Sequence, residues 1–265
     1  MGVTIHPMAI VEDGAEIGDG CRIGPFCHVG PHVRLGFSNV LHAHVVIDGY
    51  TTMGDDNEVF PFACLGKMSQ DLKFDRAWVS YSRIGSGNVL REYVTINASS
   101  EQGGSTVVGD HCFLLSYSHV AHDCTLGDGV IVSADSKMAG HVEIGDHATI
   151  SAKTGIVQFV RVGRFAFVGG FNKVAKDVLP FCIADGFPSE LRAVNRVGLK
   201  RRGFTAERIA IIDDAFRTLV RSNLTLEEAV AVLVERHPTS PDVQEMVAFA
   251  TASRVGLAWP RCRKE

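Results

Sequence analysis

Apolar residues recur at every sixth position of this chain. One run comprises Ile5, Val11, Ile17, Ile23, Val29, Leu35, Leu41, Ile47, Met53, Val59 and Leu65. A second comprises Val108, Leu114, Val120, Leu126, Val132, Met138, Ile144, Ile150, Ile156, Val162, Val168 and Val174, with Ile84, Leu90 and Ile96 between the two. A helix requires spacings of three and four, and a half-buried strand a spacing of two, so neither accounts for this period. A six-residue apolar repeat predicts a parallel β-helix, each hexad forming one short face of a coil. Glycine often follows the anchor, as at Gly18, Gly24, Gly109 and Gly145, and is expected to relieve unusual backbone angles at the corners. A small residue sits two positions before it, as at Cys21, Cys27, Ala63, Cys112, Ser118, Cys124 and Ser136.

Three hexads close a triangle, so residues about eighteen apart stack on successive coils. The anchors suffice for roughly nine coils and a rod of ~40 Å at the parallel-strand spacing. Two polar interruptions, at about 66–82 and 97–107, break the count. In a solenoid such insertions are expelled as loops, often on the binding face, and they read either as tolerated surface insertions or as a lid or substrate clamp. Beyond Val174 the period ends, and from about Glu190 the pattern turns helical. Thr205 is placed to cap a helix running to about Arg221. Thr225-Leu226-Glu227-Glu228 reads as a capping box for a second, to about Arg236, and Pro241 opens a third. The expected organisation is an all-β solenoid over 1–189 and an α-helical domain over 190–265. The hexads begin almost at once, so no domain is expected before them.

Composition narrows the partners. A net charge of −4 gives no bulk attraction for nucleic acid or a membrane surface, and no apolar run reaches transmembrane length. No signal peptide is evident, and the expected compartment is the cytoplasm. Of seven cysteines, Cys21, Cys27, Cys112 and Cys124 fall in the small-residue slots and read as core fillers rather than disulfides or metal ligands. Apolar residues outside the anchor slots, such as Phe113, Val130 and Phe159, are expected on flat outer faces and favour three-fold self-association.

The richest chemistry lies in Ser118-His119-Val120-Ala121-His122-Asp123-Cys124 and Ala139-Gly140-His141-Val142. One coil forward from Asp123 lands on His141, and from His122 on Gly140, so the four form a patch. Three readings compete. Histidine is common on such faces, which accounts for His28, His32, His42, His44 and His147. His119, His122 and His141 also form a candidate zinc set, as in a carbonic-anhydrase-like hydratase. The third reading makes an imidazole the general base, its tautomer fixed by Asp123.

These segments, with Ile5-His6-Pro7-Met8-Ala9-Ile10-Val11, Ile23-Gly24-Pro25-Phe26, Gln70-Asp71-Leu72-Lys73 and Gly198-Leu199-Lys200-Arg201-Arg202-Gly203-Phe204, carry a resemblance over nearly the whole chain. It resembles the acyl-carrier-protein-dependent UDP-N-acetylglucosamine O-acyltransferases, which open lipid A biosynthesis. The resemblance implies a left-handed parallel β-helix, a homotrimer with sites between subunits, and no cofactor. It implies transfer of a 3-hydroxyacyl group from acyl carrier protein to the sugar 3-hydroxyl, with His122 as general base, Asp123 orienting it and the Gly140 N–H facing the oxyanion. His119, His141 and Gln158 would position substrate, and Asp71 and Lys73 would contact the nucleotide-sugar. Asn195 and Arg201 would hold the uridine and diphosphate end, Arg201 through its paired-donor fork. Gly170 would leave room for a long acyl chain, although Phe171 beside it is bulky. Two positions depart from the family pattern, which commonly has histidine where this chain has Asn97 and Val157. They leave an alternative acceptor open, a 3-amino UDP-sugar undergoing N-acylation.

Overall fold

A computed structural model describes residues 2–260. Three sheets of eleven, nine and eight strands form the walls of a triangular prism. The first contains Ile5, Ile23 and Leu41, the second Val11, Val29 and Ile47, and the third Ile17, Leu35 and Met53. Within each wall the strands of the coils pair in parallel with those a coil away, as Ile5 with Ile23 and Val120 with Met138. The two interruptions disturb this pairing only locally, where the register between Cys64–Lys67 and Thr95–Asn97 shifts after Leu65. Val59 pairs with Leu90, and Leu90 with Leu114, so the coil regains its register after each loop. Around the breaks the third wall lengthens, where Tyr50–Met53, Tyr81–Ile84 and Ser105–Val108 form four-residue strands.

From Ile23 to Val174 the anchors are buried in one continuous apolar core. At the N-terminal end Ile5 stays 45% exposed, because the first coil has a neighbour on one side only. In several of the slots two residues before the anchor, the side chain donates to a carbonyl fifteen residues ahead: Cys21 to Gly36 (3.1 Å), Cys27 to His42 (2.8 Å), Cys124 to Ala139 (3.1 Å) and Ser136 to Ser151 (2.7 Å). The cysteines of this slot are therefore buried, free thiols, and burial pushes Cys124 up to about 12. Val130 also occupies such a slot and is buried, which corrects its expected place on an outer face. Phe159 is exposed and Phe113 half-buried.

The glycines that follow anchors need a different explanation from the one expected of them. The left-handed residues lie three positions after the anchor and are mostly not glycine: Asp123 (φ 61°), His141 (φ 61°) and Phe159 (φ 66°) follow Val120, Met138 and Ile156. Gly109 is glycine because the next coil lies against it; a Cβ there would stand 2.7 Å from the Gly127 carbonyl oxygen. The cost of each left-handed residue, roughly 1–2 kcal/mol, is offset by contacts along the corner. On the edge between the first and second walls, Phe26, His44, Phe62, Tyr93 and Tyr117 stack in a ladder with centroids 4.7–5.0 Å apart.

Past the last coil, Glu190–Val194 is a strand, antiparallel to Cys182–Asp185, and not the start of helix. A short helix follows at Arg196–Arg201, then Ala206–Phe216, capped by Thr205 and continued by a π turn to Arg221. Leu226–Arg236 carries the expected capping box, and Pro241–Thr251 the expected proline at its start. Buried carboxylates fasten these helices to the rod. Asp242 pairs with Arg208 at 2.6 Å and Arg164 at 3.3 Å, and Asp177 accepts from Arg161 at 3.1 Å and Ser253 at 2.9 Å. No helix of the described residues is long and apolar enough to cross a membrane.

Leu114 is fully buried mid-rod between Leu90 and Val132. Leu114→Ala should lower the unfolding free energy by about 2–5 kcal/mol in urea denaturation at fixed protein concentration. A loss well under 1 kcal/mol would mean that the interior does not close on this anchor.

Candidate active site

Both loops leave the rod at one corner. Leu65 and Ile96 are anchors of the second wall, and Ile84 and Val108, which follow the loops, are anchors of the third. The chain turns the same corner between Val120 and Leu126, between Met138 and Ile144, and between Ile156 and Val162. His122, Asp123, Gly140, His141, Gln158 and Phe159 therefore share one edge with the two insertions.

His122 is 7% exposed, and its Nδ1 lies 2.8 Å from Asp123 Oδ2. The carboxylate is held from the other side by the second loop. Ser99 Oγ donates to Oδ1, Ser100 Oγ donates to Oδ2 at 2.6 Å, and the Ser100 N–H lies 3.2 Å from both oxygens. Burial pushes the Asp123 carboxyl up, but the hydrogen bonds from Ser100, Ser99 and His122 outweigh it and hold the group below its ordinary value. It is thus an anion facing an imidazole. With Nδ1–H committed to it, the neutral ring carries its lone pair on Nε2. Beyond Nε2 stands Asp71 of the first loop, its Oδ2 at 4.0 Å.

Backbone contacts set this arrangement. The His141 N–H donates to the His122 carbonyl at 3.1 Å, locking the two coils together at the corner. The Asp123 N–H instead finds Thr106 Oγ1 at 2.8 Å, because the second loop interrupts the coil before it. Gly140 lies directly over the imidazole; a Cβ there would fall under 3.0 Å from three ring atoms of His122. His141 stacks on Phe159 at 4.7 Å, meets His122 edge-on at 5.3 Å, and places Nε2 3.6 Å from Asp123 Oδ2. His119 lies apart, on the second wall, with Nδ1 2.7 Å from Thr95 Oγ1. Burial, then the charges of Lys137 and His122, push His119 below its ordinary value. The donor atoms that do cluster, within 4.8 Å of one another, belong to His122, Asp123 and His141. The three-imidazole set of the zinc reading is not assembled here, since His119 stands outside that cluster.

A buried His–Asp pair on a hexapeptide rod suits acyl transfer, and comparison with known proteins decides the family. Residues 177–258 match the family model described as UDP N-acetylglucosamine O-acyltransferase, domain 2. Residues 1–31, 14–49 and 105–140 match the bacterial transferase hexapeptide model. The solved UDP-N-acetylglucosamine acyltransferase from Bacteroides fragilis is 36% identical, with a TM-score of 0.93 over 96% of this chain and 99% of that one. The enzyme from Francisella novicida is 33% identical, with a TM-score of 0.94 over 98% and 95%. That from Campylobacter jejuni is 35% identical, with a TM-score of 0.91 over 97% and 100%. The chain belongs to the UDP-N-acetylglucosamine acyltransferase family. It is an acyltransferase, and its fold is the left-handed parallel β-helix with a C-terminal helical region.

Of the remaining residues expected at the acyltransferase site, some share this edge and others lie elsewhere on the prism. Asp71 faces His122, while Lys73, two residues on, is exposed and donates its N–H to Asp71 Oδ1 at 2.8 Å. Gln158 is exposed on the shared edge. Gly170 lies at the opposite margin of the second wall, three coils along the rod from Val120, about 14 Å at the parallel-strand spacing. Asn195 and Arg201 belong to the third corner. Asn195 caps Arg196–Arg201 and donates to the Phe165 carbonyl at 2.9 Å, and Arg201 is exposed at the end of that helix. Asn97 is buried and donates to the Met68 carbonyl at 3.1 Å, fastening the base of the first loop; Val157 is exposed. Sequence reasoning missed Ser99, Ser100, Thr106 and Thr95. The one signal for them was the position of the second break, just after Ile96 at the corner where Asp123 lies.

Gly140→Ala should drive the His122 ring off Asp123. A crystal structure of the variant would show the Nδ1–Oδ2 contact lengthened past hydrogen-bonding range, and acyl transfer would fall about 10²-fold. Unchanged contact and rate would show that Gly140 is not required at this packing.

Proposed function

We propose that this chain transfers a 3-hydroxyacyl group from acyl carrier protein to the 3-hydroxyl of UDP-N-acetylglucosamine, the first step of lipid A biosynthesis. The observation that carries the reading is the buried His122–Asp123 pair, which leaves Nε2 as a free base beside a loop that bears Asp71. His122 Nε2 takes the proton of the sugar 3-hydroxyl as that oxygen attacks the thioester carbonyl. Asp123 keeps the imidazole oriented and stabilises the imidazolium that forms. The Gly140 N–H, which donates to no protein acceptor among the described residues, serves the oxyanion of the tetrahedral intermediate. Collapse of the intermediate breaks the carbon–sulfur bond, and the imidazolium returns its proton to the leaving thiolate. No cofactor enters this sequence.

His141 and Gln158 line the same edge and His119 the adjoining wall, where they position the sugar and acyl groups. Asp71 and Lys73 close on the nucleotide-sugar from the first loop. The acyl chain runs over the outer face of the second wall toward Gly170. Asn195 and Arg201 lie at a different corner from His122, so one substrate reaches both sets only if a neighbouring copy brings its third corner to this edge. That geometry supports a homotrimer with sites between subunits. A carrier-protein donor and a nucleotide-sugar acceptor place the reaction in the cytoplasm.

The test is an assay with UDP-N-acetylglucosamine, its 3-amino analogue and 3-hydroxyacyl carrier proteins of several lengths. The wild type should acylate the 3-hydroxyl, and His122→Ala should lose at least about 10²-fold in kcat while the protein stays folded and assembled. Near wild-type turnover in that variant would defeat the general-base assignment. Acylation of the 3-amino sugar alone would replace the acceptor.

A further inference from the structure

The Asp123 carboxylate has two imidazoles within reach. His122 Nδ1 is at 2.8 Å from Oδ2, and His141 Nε2 is at 3.6 Å from the same oxygen. A small displacement of Oδ2 toward His141 would exchange one partner for the other. On His122 it fixes the Nδ1–H tautomer and frees Nε2. On His141 it would leave the His122 tautomer unset, and part of the population would carry its proton on the nitrogen that has to be the base.

What prevents the exchange comes from the second loop. Ser99 Oγ and the Ser100 N–H meet Oδ1, while Ser100 Oγ and N–H meet Oδ2, so the carboxylate cannot turn without breaking several bonds together. The serines are themselves held. Ser99 is fully buried, and its Oγ accepts the Glu101 N–H at 3.0 Å. The rest of the turn is braced on the first loop: the Gly103 N–H donates to the Val79 carbonyl at 2.7 Å, and the Val79 N–H donates to Gln102 Oε1 at 2.8 Å. A regular hexad would turn this corner without a loop at this level. The insertion returns two hydroxyls and an amide to the one carboxylate that needs them.

We propose that Ser99 and Ser100 are positioning residues that hold the Asp123 carboxylate on His122 and away from His141, and thereby select the nitrogen of His122 that acts as base. The proposal rests on His122 being the base, and the test separates the two. Full-length protein with 15N-labelled histidine is examined by NMR at a pH where His122 is neutral, with assignment by His122→Gln. The wild type should show the Nδ1–H tautomer alone. Ser99→Ala/Ser100→Ala should show a mixture of tautomers, and its kcat should fall about 10²-fold while KM for the nucleotide-sugar changes little. Ser100→Thr, which keeps the hydroxyl, should retain both the tautomer and the rate.

A folded double variant with the wild-type tautomer overturns the proposal, as does a Ser100→Thr variant as impaired as Ser100→Ala. Should the double variant fail to fold, Ser100→Ala carries the test, because it removes one side-chain bond and keeps the backbone one. The tautomer is read without substrate. A wild type that shows the Nδ1–H tautomer but transfers no acyl group would therefore count against the proposed function and not against the serine cradle.

Discussion

The parallel hydrogen-bonded register between successive coils is the constraint on which the rest of this molecule depends. Val120 pairs with Met138 and Met138 with Ile156, and the corners that follow these anchors are stacked as a consequence. His122 then lies under Gly140, and Asp123 beside His141. A one-residue slip would turn every inward anchor outward, so the hydrophobic interior itself enforces the alignment of the polar corner. The site is built from residues that are local in sequence but borrows its precision from a core that runs the length of the rod.

Within that frame the electrostatic problem is to keep a carboxylate charged while it is largely out of water. Burial alone would favour its neutral form. The hydroxyls and amide of Ser99 and Ser100, with the His122 N–H, supply the opposing stabilisation, and the net result is a carboxyl held below its ordinary value. An anion so satisfied serves its imidazole neighbour as an acceptor in a fixed direction. The apolar rod and the polar loop thus have separate tasks: the rod sets where His122 stands, and the loop sets what state it is in.

Much of this was legible in the sequence because the period is strict. The anchors, the coil length and the pairing of His122 with Gly140 all follow from counting, the helices after Thr205 and Thr225 follow from their caps, and the last follows from Pro241. What counting missed has physical reasons. The glycines after anchors answer to the carbonyl of the next coil, a contact invisible to local conformational reasoning. Glu190–Val194 has no period-two alternation, since Glu190 and Leu191 are both buried and Arg192 and Ala193 both exposed, and only its antiparallel partner Cys182–Asp185 makes it a strand. Ser99 and Ser100 looked like loop polarity because the direction of a loop side chain is decided by tertiary contacts, here with Asp123. Asn195, expected at the nucleotide, also caps the helix that follows it and ties that helix to Phe165, contacts that spacing along the chain does not reveal.

In the proposed function, the corner following Val120 presents His122 Nε2 to the acceptor hydroxyl. The most direct measurement is a crystal structure of the protein with UDP-N-acetylglucosamine bound. The sugar 3-hydroxyl oxygen should lie within hydrogen-bonding distance of His122 Nε2, with Nδ1 still on Asp123 and Asp71 against the sugar. A sugar bound elsewhere on the rod, or seated at this corner with its 3-hydroxyl turned away from Nε2, would contradict it.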